Sequence, residues 1–540
     1  MPSHRLRHLF LLLVTVLLML PVLAVLASWL PWGEQGTQTA QILGEMARTV
    51  LPDYLATTLA LSAMGTVGVM GVGLSAAAAG TLFDFPGRRV FEWALLLPLA
   101  MPAYVVAYAY TDFLQFSGPL QTLLRQWTGV PGRWFPEIRN TVGAAWVLTF
   151  SLYPYVYLLA RAALGERAAH LMEAARLLGA PLSRRIREIA LPLARPAVAA
   201  GVALALMETL ADFGVASYFG IQTFTAGIYK AWLVMDNRIA AAQLATLLLL
   251  LVVLVLQLEQ RAQRRLRFAT RGARAGSGEA RPVRLQGLRC GVAWGVCGVP
   301  LVMGFVAPVL FMLRPLLAEW AVLPWDRFAI WALNSMRLGL LSAVLAVALA
   351  LLLAFSWRRS PDLLTRSVVY LAGLGYAVPG AVIVVGLLLP LGWVQALWPQ
   401  AGLAYYLTAT SLGLVWAYLV RFCAVALQSM QSGYARIPSN LDDSARMLGT
   451  GDWGLLRRVH GPLLRRSAVA ALLLVFVDVM KELPATLVLR PFDSDTLAVV
   501  AYQLARDERL GEAALPSLAL VLVGLIPVVL LSRTLRQPTH

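Results

Sequence analysis

Long apolar runs, each bounded by polar or arginine-rich residues, repeat along almost the whole chain. A helix needs about 20 apolar residues to cross roughly 30 Å of hydrocarbon, so each run is long enough for one transmembrane helix. The pattern therefore predicts an all-α, polytopic membrane protein with about twelve transmembrane helices. The predicted spans are residues 9–30, 56–82, 91–113, 142–163, 196–218, 239–258, 290–313, 332–356, 367–390, 406–428, 467–489 and 515–533.

A long polar interruption divides the predicted spans into two groups of six. Residues 259–289 are rich in arginine and contain a cluster of glycine and serine, which indicates a flexible join. We therefore predict a first half at residues 1–258, a cytoplasmic linker at 259–289 and a second half at 290–540. With an even number of spans, both termini lie on the same side of the membrane.

The first span has the opening of a secretory signal peptide, in which a short basic segment precedes an apolar run. The run at residues 9–30 is longer than the usual signal sequence and lacks a small-x-small cleavage site. We therefore expect an uncleaved first span, although cleavage is left open at this point.

Two prolines lie at comparable depth in the third and ninth predicted spans, Pro102 and Pro379. A proline inside a span removes a helix hydrogen bond and bends or breaks the helix. Such a break suits a helix that lines a transport pathway, and the alternative is an ordinary structural kink.

A charged loop recurs in both halves with the same spacing, at residues 173–192 and 443–462. The second copy follows the first by a constant offset, 443 − 173 = 270, without a gap. In each copy an alanine-containing segment ends at a glycine and is followed by arginines, which predicts two short helices separated by a sharp break. The aligned pairs are Glu173 with Asp443, Ala175 with Ala445, Arg176 with Arg446, Leu178 with Leu448, Gly179 with Gly449, Ile189 with Val459 and Pro192 with Pro462.

This loop resembles the signature loop of ABC importer permeases, in which Glu-Ala-Ala is followed at fixed distances by Gly, Ile and Leu-Pro. The first copy matches at every position, and the second differs at Asp443, Ser444, Val459 and Gly461. The resemblance implies two homologous halves of the type I ABC importer permease fold, each with a coupling helix that sits in a groove of a cytoplasmic ATPase subunit. A basic loop that matches by chance is the alternative, and the repeated spacing argues against it. The implied ATPase-coupling residues are Glu173, Ala174, Ala175, Gly179, Ile189 and Pro192 in the first loop, and Asp443, Ser444, Ala445, Gly449, Val459 and Pro462 in the second.

Composition and charge agree with a membrane protein and give its orientation. Hydrophobic residues make up 59% of the chain and the formal net charge is +17, with a mean hydropathy of +0.71. The positive charge does not indicate a nucleic-acid partner, because the arginines lie between apolar runs rather than on one basic face. They follow the positive-inside rule. Both charged loops, the linker and both termini are therefore expected on the cytoplasmic side of a bacterial inner membrane.

The chain offers no residues for enzyme chemistry of its own. Cys290, Cys297 and Cys423 lie in or beside apolar segments and are interpreted as small core residues, and the five histidines are scattered rather than grouped as metal ligands. The two lysines, Lys230 and Lys481, do not stand in a Gly-Lys-Ser or Gly-Lys-Thr loop. We therefore expect no enzymatic activity and no cofactor bound by this chain, with ATP used by a partner subunit.

Three segments resemble the fused permeases of ferric-iron importers, namely residues 207–220, 478–487 and 495–498. That resemblance implies a periplasmic ferric-binding protein and two cytoplasmic ATPase subunits as partners, with ferric iron as the substrate. Related permeases carry thiamine, sulfate or polyamines on the same scaffold, so these substrates stay open. A secondary transporter of the major facilitator kind is a less favoured alternative, and a membrane-embedded enzyme lacks a nucleophile or metal cluster.

Two pairs of acidic residues lie within predicted spans and repeat at the same offset of 270, Glu208 with Asp212 and Asp478 with Glu482. A spacing of four places each pair on one helix face. A carboxylate inside hydrocarbon costs about 3 kcal/mol, so these groups should face a cavity or a partner. One hypothesis places the two pairs across a pathway between the halves, where oxygen ligands suit a ferric ion or hold a gate. The alternative is that Lys481 neutralises a neighbour and the others are protonated or bonded between helices.

Overall fold

Helices form nearly all of the regular structure in the described residues, and the predicted all-α fold class is confirmed. The computed structural model describes residues 4–30, 35–165, 169–270 and 282–535. In chain order the helices are α1 (His4–Ala27), α2 (Gln35–Arg48), α3 (Leu51–Leu82), α4 (Arg88–Ala94), α5 (Ala103–Leu114), α6 (Pro119–Thr128), α7 (Thr141–Ala163), α8 (Ala169–Leu177), α9 (Leu182–Arg185), α10 (Leu191–Ala211), α11 (Gly214–Phe219), α12 (Phe224–Tyr229) and α13 (Arg238–Thr270). They continue as α14 (Leu288–Leu301), α15 (Ala307–Ala318), α16 (Trp325–Arg359), α17 (Leu363–Leu374), α18 (Gly380–Leu397), α19 (Leu403–Thr408), α20 (Leu412–Tyr434), α21 (Ser439–Met447), α22 (Asp452–Gly454), α23 (Gly461–Lys481), α24 (Pro484–Leu489), α25 (Leu497–Arg506) and α26 (Leu510–Leu535).

Two short parallel strands, β1 (Phe83–Asp84) and β2 (Val283–Arg284), form a small sheet at the end of the predicted linker. Beside it, the indole nitrogen of Trp294 donates a hydrogen bond to the carbonyl of Pro86 at 3.0 Å. The first part of the linker, residues 259–270, continues α13 as helix. Residues 271–281 of the linker lie outside the described residues.

Ten of the described helical segments are long and apolar enough to span a membrane, or eleven if a bent pair counts as one span. The ten are Arg7–Ala27, Leu51–Leu82, Thr141–Ala163, Leu182–Ala211, Arg238–Arg261, Leu288–Ala318, Trp325–Arg359, Gly380–Leu397, Leu412–Tyr434 and Leu510–Leu530. The span predicted at 467–489 falls on α23. That helix is not among the ten, and it contains four charged residues, Arg465, Arg466, Asp478 and Lys481.

The breaks predicted at Pro102 and Pro379 are confirmed. Each proline has an extended backbone and directly precedes a helix, α5 after Pro102 and α18 after Pro379. A short 3-10 turn lies just before each break, at Leu97–Ala100 and Gly375–Ala377. In the first half the segments on the two sides of the break differ in direction by 90°. The proline carbonyls accept the first helical amide bonds, at 3.0 Å from Val105 and 3.0 Å from Val382.

One compact unit consists of residues 48–227, 250–323 and 501–540, and we call it the first-core unit. Its centre is formed by α3, α7 and α10, which pack against one another. Close approach of α3 to α7 depends on Gly73. A β-carbon at this position would lie 2.7 Å from Cβ of Val156 and 2.9 Å from the carbonyl oxygen of Tyr153. Small residues of this kind let transmembrane helices pack closely.

The other compact unit consists of residues 1–47, 228–249 and 324–500, and we call it the second-core unit. Its centre is formed by α16, α20 and α23, and α1 packs against α17 and α18 beside them. The core helices α20 and α23 lie about one repeat offset after α7 and α10 in sequence. The same three-helix arrangement is therefore built twice.

Neither unit coincides with one half of the sequence. The first-core unit includes α14, α15 and α26 from the second half, and the second-core unit includes α1 from the first half. Each unit thus combines the three-helix core of one half with segments from both ends of the other half. The division of the sequence into two halves by a linker at residues 259–289 therefore remains a prediction.

We expect Gly73→Leu to destabilise the chain, because overpacking a close helix contact typically costs about 1–3 kcal/mol. The matched control is Gly71→Leu on the same helix, where a β-carbon would meet no atom within 4 Å. Thermal unfolding in detergent should show a lower midpoint for the Gly73 variant alone. Equal midpoints for the two variants would contradict the packing described for α3 and α7.

Candidate functional site

The first charged loop begins with α8, which ends at a left-handed glycine. The amide of Ala180 donates to the carbonyl of Ala175 at 2.9 Å, and the amide of Gly179 donates to the carbonyl of Arg176 at 3.0 Å. This pair of bonds is the Schellman arrangement, which needs a left-handed residue at the turn. Gly179 provides it with a φ of +78°, a conformation that glycine adopts without steric penalty.

The second charged loop has the same backbone. The amide of Thr450 donates to the carbonyl of Ala445 at 3.0 Å, and the amide of Gly449 donates to Arg446 at 2.9 Å. Gly449 has the same φ of +78°. The prediction of a short helix, a glycine break and a second short helix is therefore confirmed in both copies.

The predicted coupling residues fall into an exposed group and a supporting group. The exposed group can contact a partner directly. The supporting group lies at least partly below the surface, and Ala445 in it is buried. Exposed residues are Glu173, Ala174, Gly179, Asp443, Ser444, Gly449 and Pro462, and the supporting residues are Ala175, Ile189, Pro192, Ala445 and Val459.

Two apolar side chains next to each glycine are almost fully exposed, and the sequence reasoning did not assign them to the site. Leu177 and Leu178 are 85% and 88% exposed in the first loop, and Met447 and Leu448 are 90% and 85% exposed at the matching positions. Water is an unfavourable environment for such side chains, and a repeated exposed apolar pair is typical of a contact surface. The sequence signal for these exposed side chains is a pair of apolar residues directly before the glycine, which recurs at the repeat offset of 270.

The second part of each loop contains a π-helical turn, at Ile186–Ala190 and Leu455–His460. The amide of Leu191 bonds to the carbonyl of Ile186, and that of Gly461 bonds to Leu456, each five residues back. The next residues, Pro192 and Pro462, have no amide hydrogen to donate. A wider turn accommodates the missing bond while the chain continues into the long helix.

A groove of about 330 Å³ lies within the first loop, between α8 and α9. Its lining includes Ala175, Leu178 and Gly179 on one side and Arg184 and Ile189 on the other. Arg184 pairs with Glu188 at 3.0 Å on the exposed surface of α9. The groove is therefore lined by both apolar and charged side chains.

The acidic pairs in the membrane do not both lie on helix faces, and the prediction was wrong in this respect. α10 ends at Ala211 and α23 ends at Lys481, because the backbones of Asp212 and Glu482 turn extended with ψ of 127° and 121°. Glu208 and Asp478 lie inside the two helices and are half-buried. The predicted span at 196–218 likewise ends early, at Asp212.

The two carboxylates beyond the helix ends cap the short helices that follow. Asp212 accepts the amides of Val215 and Ala216, each at 3.1 Å. Glu482 accepts the amides of Ala485 at 2.9 Å and Thr486 at 3.0 Å. Backbone amides released by a break within the apolar layer need such acceptors, because lipid offers none. Asp212 and Glu482, which match at the repeat offset of 270, therefore have the same role as helix caps.

Glu482 also has a charged partner that the sequence did not suggest. The Arg421 guanidinium lies 3.4 Å from the Glu482 carboxylate, and both side chains are largely buried. Arg421 is distant in sequence and belongs to α20, so no local spacing pointed to it. The local sequence instead suggests Lys481 as the residue that neutralises a neighbouring acid.

The family described as "Binding-protein-dependent transport system inner membrane component" matches residues 70–268 and 346–536. These two matches contain both charged loops and both acidic pairs. The chain belongs to this family. It is a fused, two-repeat permease of the ABC transporter class and a multi-pass inner membrane protein.

Two of the similar proteins are named as ferric-iron permeases, and a third is named as a sulfate permease. The Fe(3+)-transport system permease protein FbpB 2 of Haemophilus influenzae is 25% identical over 90% of this chain and 90% of its own length. The ferric transport system permease protein FbpB of Actinobacillus pleuropneumoniae is 23% identical over 92% of this chain and 73% of its own length. The sulfate transport system permease protein CysT of Salmonella typhimurium is 27% identical over 38% of this chain and 70% of its own length.

We expect Glu482→Ala to destabilise the permease more than Asp212→Ala. Both variants lose a helix cap, which costs about 1 kcal/mol, but the Glu482 variant also leaves buried Arg421 without its carboxylate. Breaking a buried ion pair costs about 3 kcal/mol or more. Thermal unfolding in detergent checks the order. Equal losses of stability, or a larger loss in the Asp212 variant, would show that the Arg421 contact adds nothing.

Proposed function

We propose that this permease, with two copies of a cytoplasmic ABC ATPase subunit and a periplasmic binding protein, imports ferric iron in an ATP-driven cycle. The observation that carries the mechanism is the repeated loop, a glycine-ended helix with two exposed apolar side chains in each half. The observation that supports the substrate is the match to ferric permeases over about nine-tenths of the chain.

The loops are suited to bind one ATPase subunit each. Full burial of a leucine or methionine side chain contributes about 1.5–3 kcal/mol, and each loop exposes two such side chains beside its glycine. Exposed Glu173 and Asp443 add one carboxylate per loop at the same position. Two loops with the same backbone would accept two copies of one partner.

ATP hydrolysis is assigned to that partner. The only lysines, Lys230 and Lys481, stand outside any phosphate-binding loop. The arginine-rich loops follow the positive-inside rule, so we place both charged loops and both termini in the cytoplasm. The binding protein would then deliver its ligand from the opposite side.

We further propose that Glu208 and Asp478 act on the substrate route. Both are half-buried acids within membrane helices, where an ionisable group is a candidate for transport or gating. Carboxylate oxygens are hard ligands that suit a small, highly charged metal ion. The carboxylates of Asp212 and Glu482 already cap a helix. We therefore assign these two residues only an indirect role in the pathway, which is to hold the backbone that follows Glu208 and Asp478.

A second candidate substrate is an oxyanion such as sulfate. It is favoured by the partial match to a sulfate permease, which covers 38% of this chain. The charge of the substrate distinguishes the two candidates, because carboxylates on the route attract a ferric cation but repel an oxyanion.

We expect Leu178→Asp and Leu448→Asp to weaken ATPase binding and to lower transport per ATP, because a charge replaces an apolar contact at each docking surface. Both side chains are more than four-fifths exposed, so folding should be preserved. Co-purification and vesicle assays with the ATPase present measure the two effects, and the chain alone should hydrolyse no ATP. The matched control is Leu288→Asp, at a leucine that is 86% exposed outside the loops. Normal binding and coupling in both loop variants would refute the docking role.

We expect the double variant Glu208→Gln with Asp478→Asn to reduce ferric uptake by about tenfold, which corresponds to 1.4 kcal/mol. Vesicles that contain the permease, its ATPase and its binding protein are supplied with radiolabelled ferric iron or radiolabelled sulfate. Asp53→Asn, at an exposed acid in the first turn of α3, is the control. Parent-level iron uptake by the assembled double variant would remove the route role, and sulfate uptake without iron uptake would favour the second candidate.

A further inference from the structure

The second charged loop is tied to its unit by a buried polar network. The carboxylate of Asp442 accepts a hydrogen bond from Nε of Arg358 at 2.8 Å, and its other oxygen lies 3.0 Å from Nε2 of His460. The second ring nitrogen, Nδ1, lies 3.2 Å from the Tyr434 hydroxyl. His460 is 0% exposed and Asp442 is 7% exposed. The network therefore joins α16, α20, α21 and the π-helical turn.

Every member of the network has a complementary partner. An imidazole with its proton on Nε2 donates to Asp442 and accepts from Tyr434 through Nδ1. Arg358 also donates to the carbonyls of Ile437 at 2.9 Å and Pro438 at 2.9 Å, just before α21. Burial raises the pKa of the Asp442 carboxyl, but the hydrogen bonds from Arg358 and His460 outweigh it and hold that pKa below its usual range. Asp442 is thus a carboxylate at neutral pH.

The first loop has the same backbone but a different attachment. The positions 270 residues before Tyr434, Asp442 and His460 are Leu164, Met172 and Ala190. All three are buried members of the hydrophobic cluster in the first-core unit. Apolar packing is tolerant of small displacements, whereas a network of directed hydrogen bonds fixes distance and angle.

We propose that Asp442 and His460 are positioning residues that fix the second loop for its partner, with Arg358 and Tyr434 as their supports. This inference rests on the proposed docking function. The two docking sites of one permease then differ mechanically, since directed bonds hold the second loop in one place and apolar packing leaves the first loop able to adjust. Force from the ATPase is transmitted rigidly through α21 into α23 only while the network is intact.

Hydrogen–deuterium exchange of the purified permease tests the network without any partner. In Asp442→Ala, the backbone amides of residues 439–450 should exchange at least about tenfold faster, as expected when about 1.4 kcal/mol of local stability is lost. Residues 171–180 of the first loop should be unchanged. Asp442→Asn keeps an acceptor oxygen and should fall between the parent and the alanine variant. Met172→Leu, at the matching apolar position, should leave both loops unchanged.

A second measurement, transport per ATP in vesicles with the ATPase and binding protein, tests the consequence for coupling. Both Asp442 variants should lower this ratio in the order of their exchange rates, and Met172→Leu should not. Unchanged exchange in both Asp442 variants would overturn the inference, whatever the state of docking. Faster exchange with normal transport per ATP would overturn the positioning role. In that case Leu448→Asp separates two explanations. Normal coupling in this variant as well would show that the second loop does not dock the ATPase, whereas impaired coupling would leave the docking function intact and remove only the positioning role.

Discussion

Satisfaction of backbone hydrogen bonds in an apolar environment is the constraint on which the rest of this structure depends. Lipid offers no donors or acceptors, so each break in a transmembrane helix must be repaired by the chain itself. The prolines at residues 102 and 379 remove one donor and let their carbonyls start the next helix. The carboxylates of Asp212 and Glu482 accept the amides freed at the ends of α10 and α23. An acidic residue at such a position is therefore explained by structure before any transport role is considered.

The same reasoning distinguishes the acidic residues that cap a helix from those that lie within one. A carboxylate that already accepts two backbone amides would have to release them to ligate an ion, with a loss of about 1–3 kcal/mol for each amide left unpaired in the apolar layer. Glu482 would in addition have to leave Arg421. Glu208 and Asp478 lie inside regular helix, where the backbone needs no help from side chains. This difference makes the helical pair the better candidates for a route.

The sequence predicted the features that depend on local pattern. Apolar length located the spans, and the glycine at a constant offset located the turn, because a left-handed residue at the end of a helix strongly favours glycine. The pairing of Arg421 with Glu482 could not be found in this way, since it joins residues that are 61 apart in sequence. The composition of the two compact units was also not predictable. Short-range patterns do not show that α1 packs beside α17 and α18 rather than within its own half.

Fusion of two repeats in one chain explains how the loops came to share a backbone without sharing its supports. In a symmetric homodimer a substitution occurs in both copies, whereas here His460 in one half corresponds to Ala190 in the other. The apolar set and the polar set cannot be exchanged one residue at a time. Each intermediate would bury a polar group without its partner, at about 1–3 kcal/mol. Two loops with one backbone geometry are therefore held by supports that are not interchangeable.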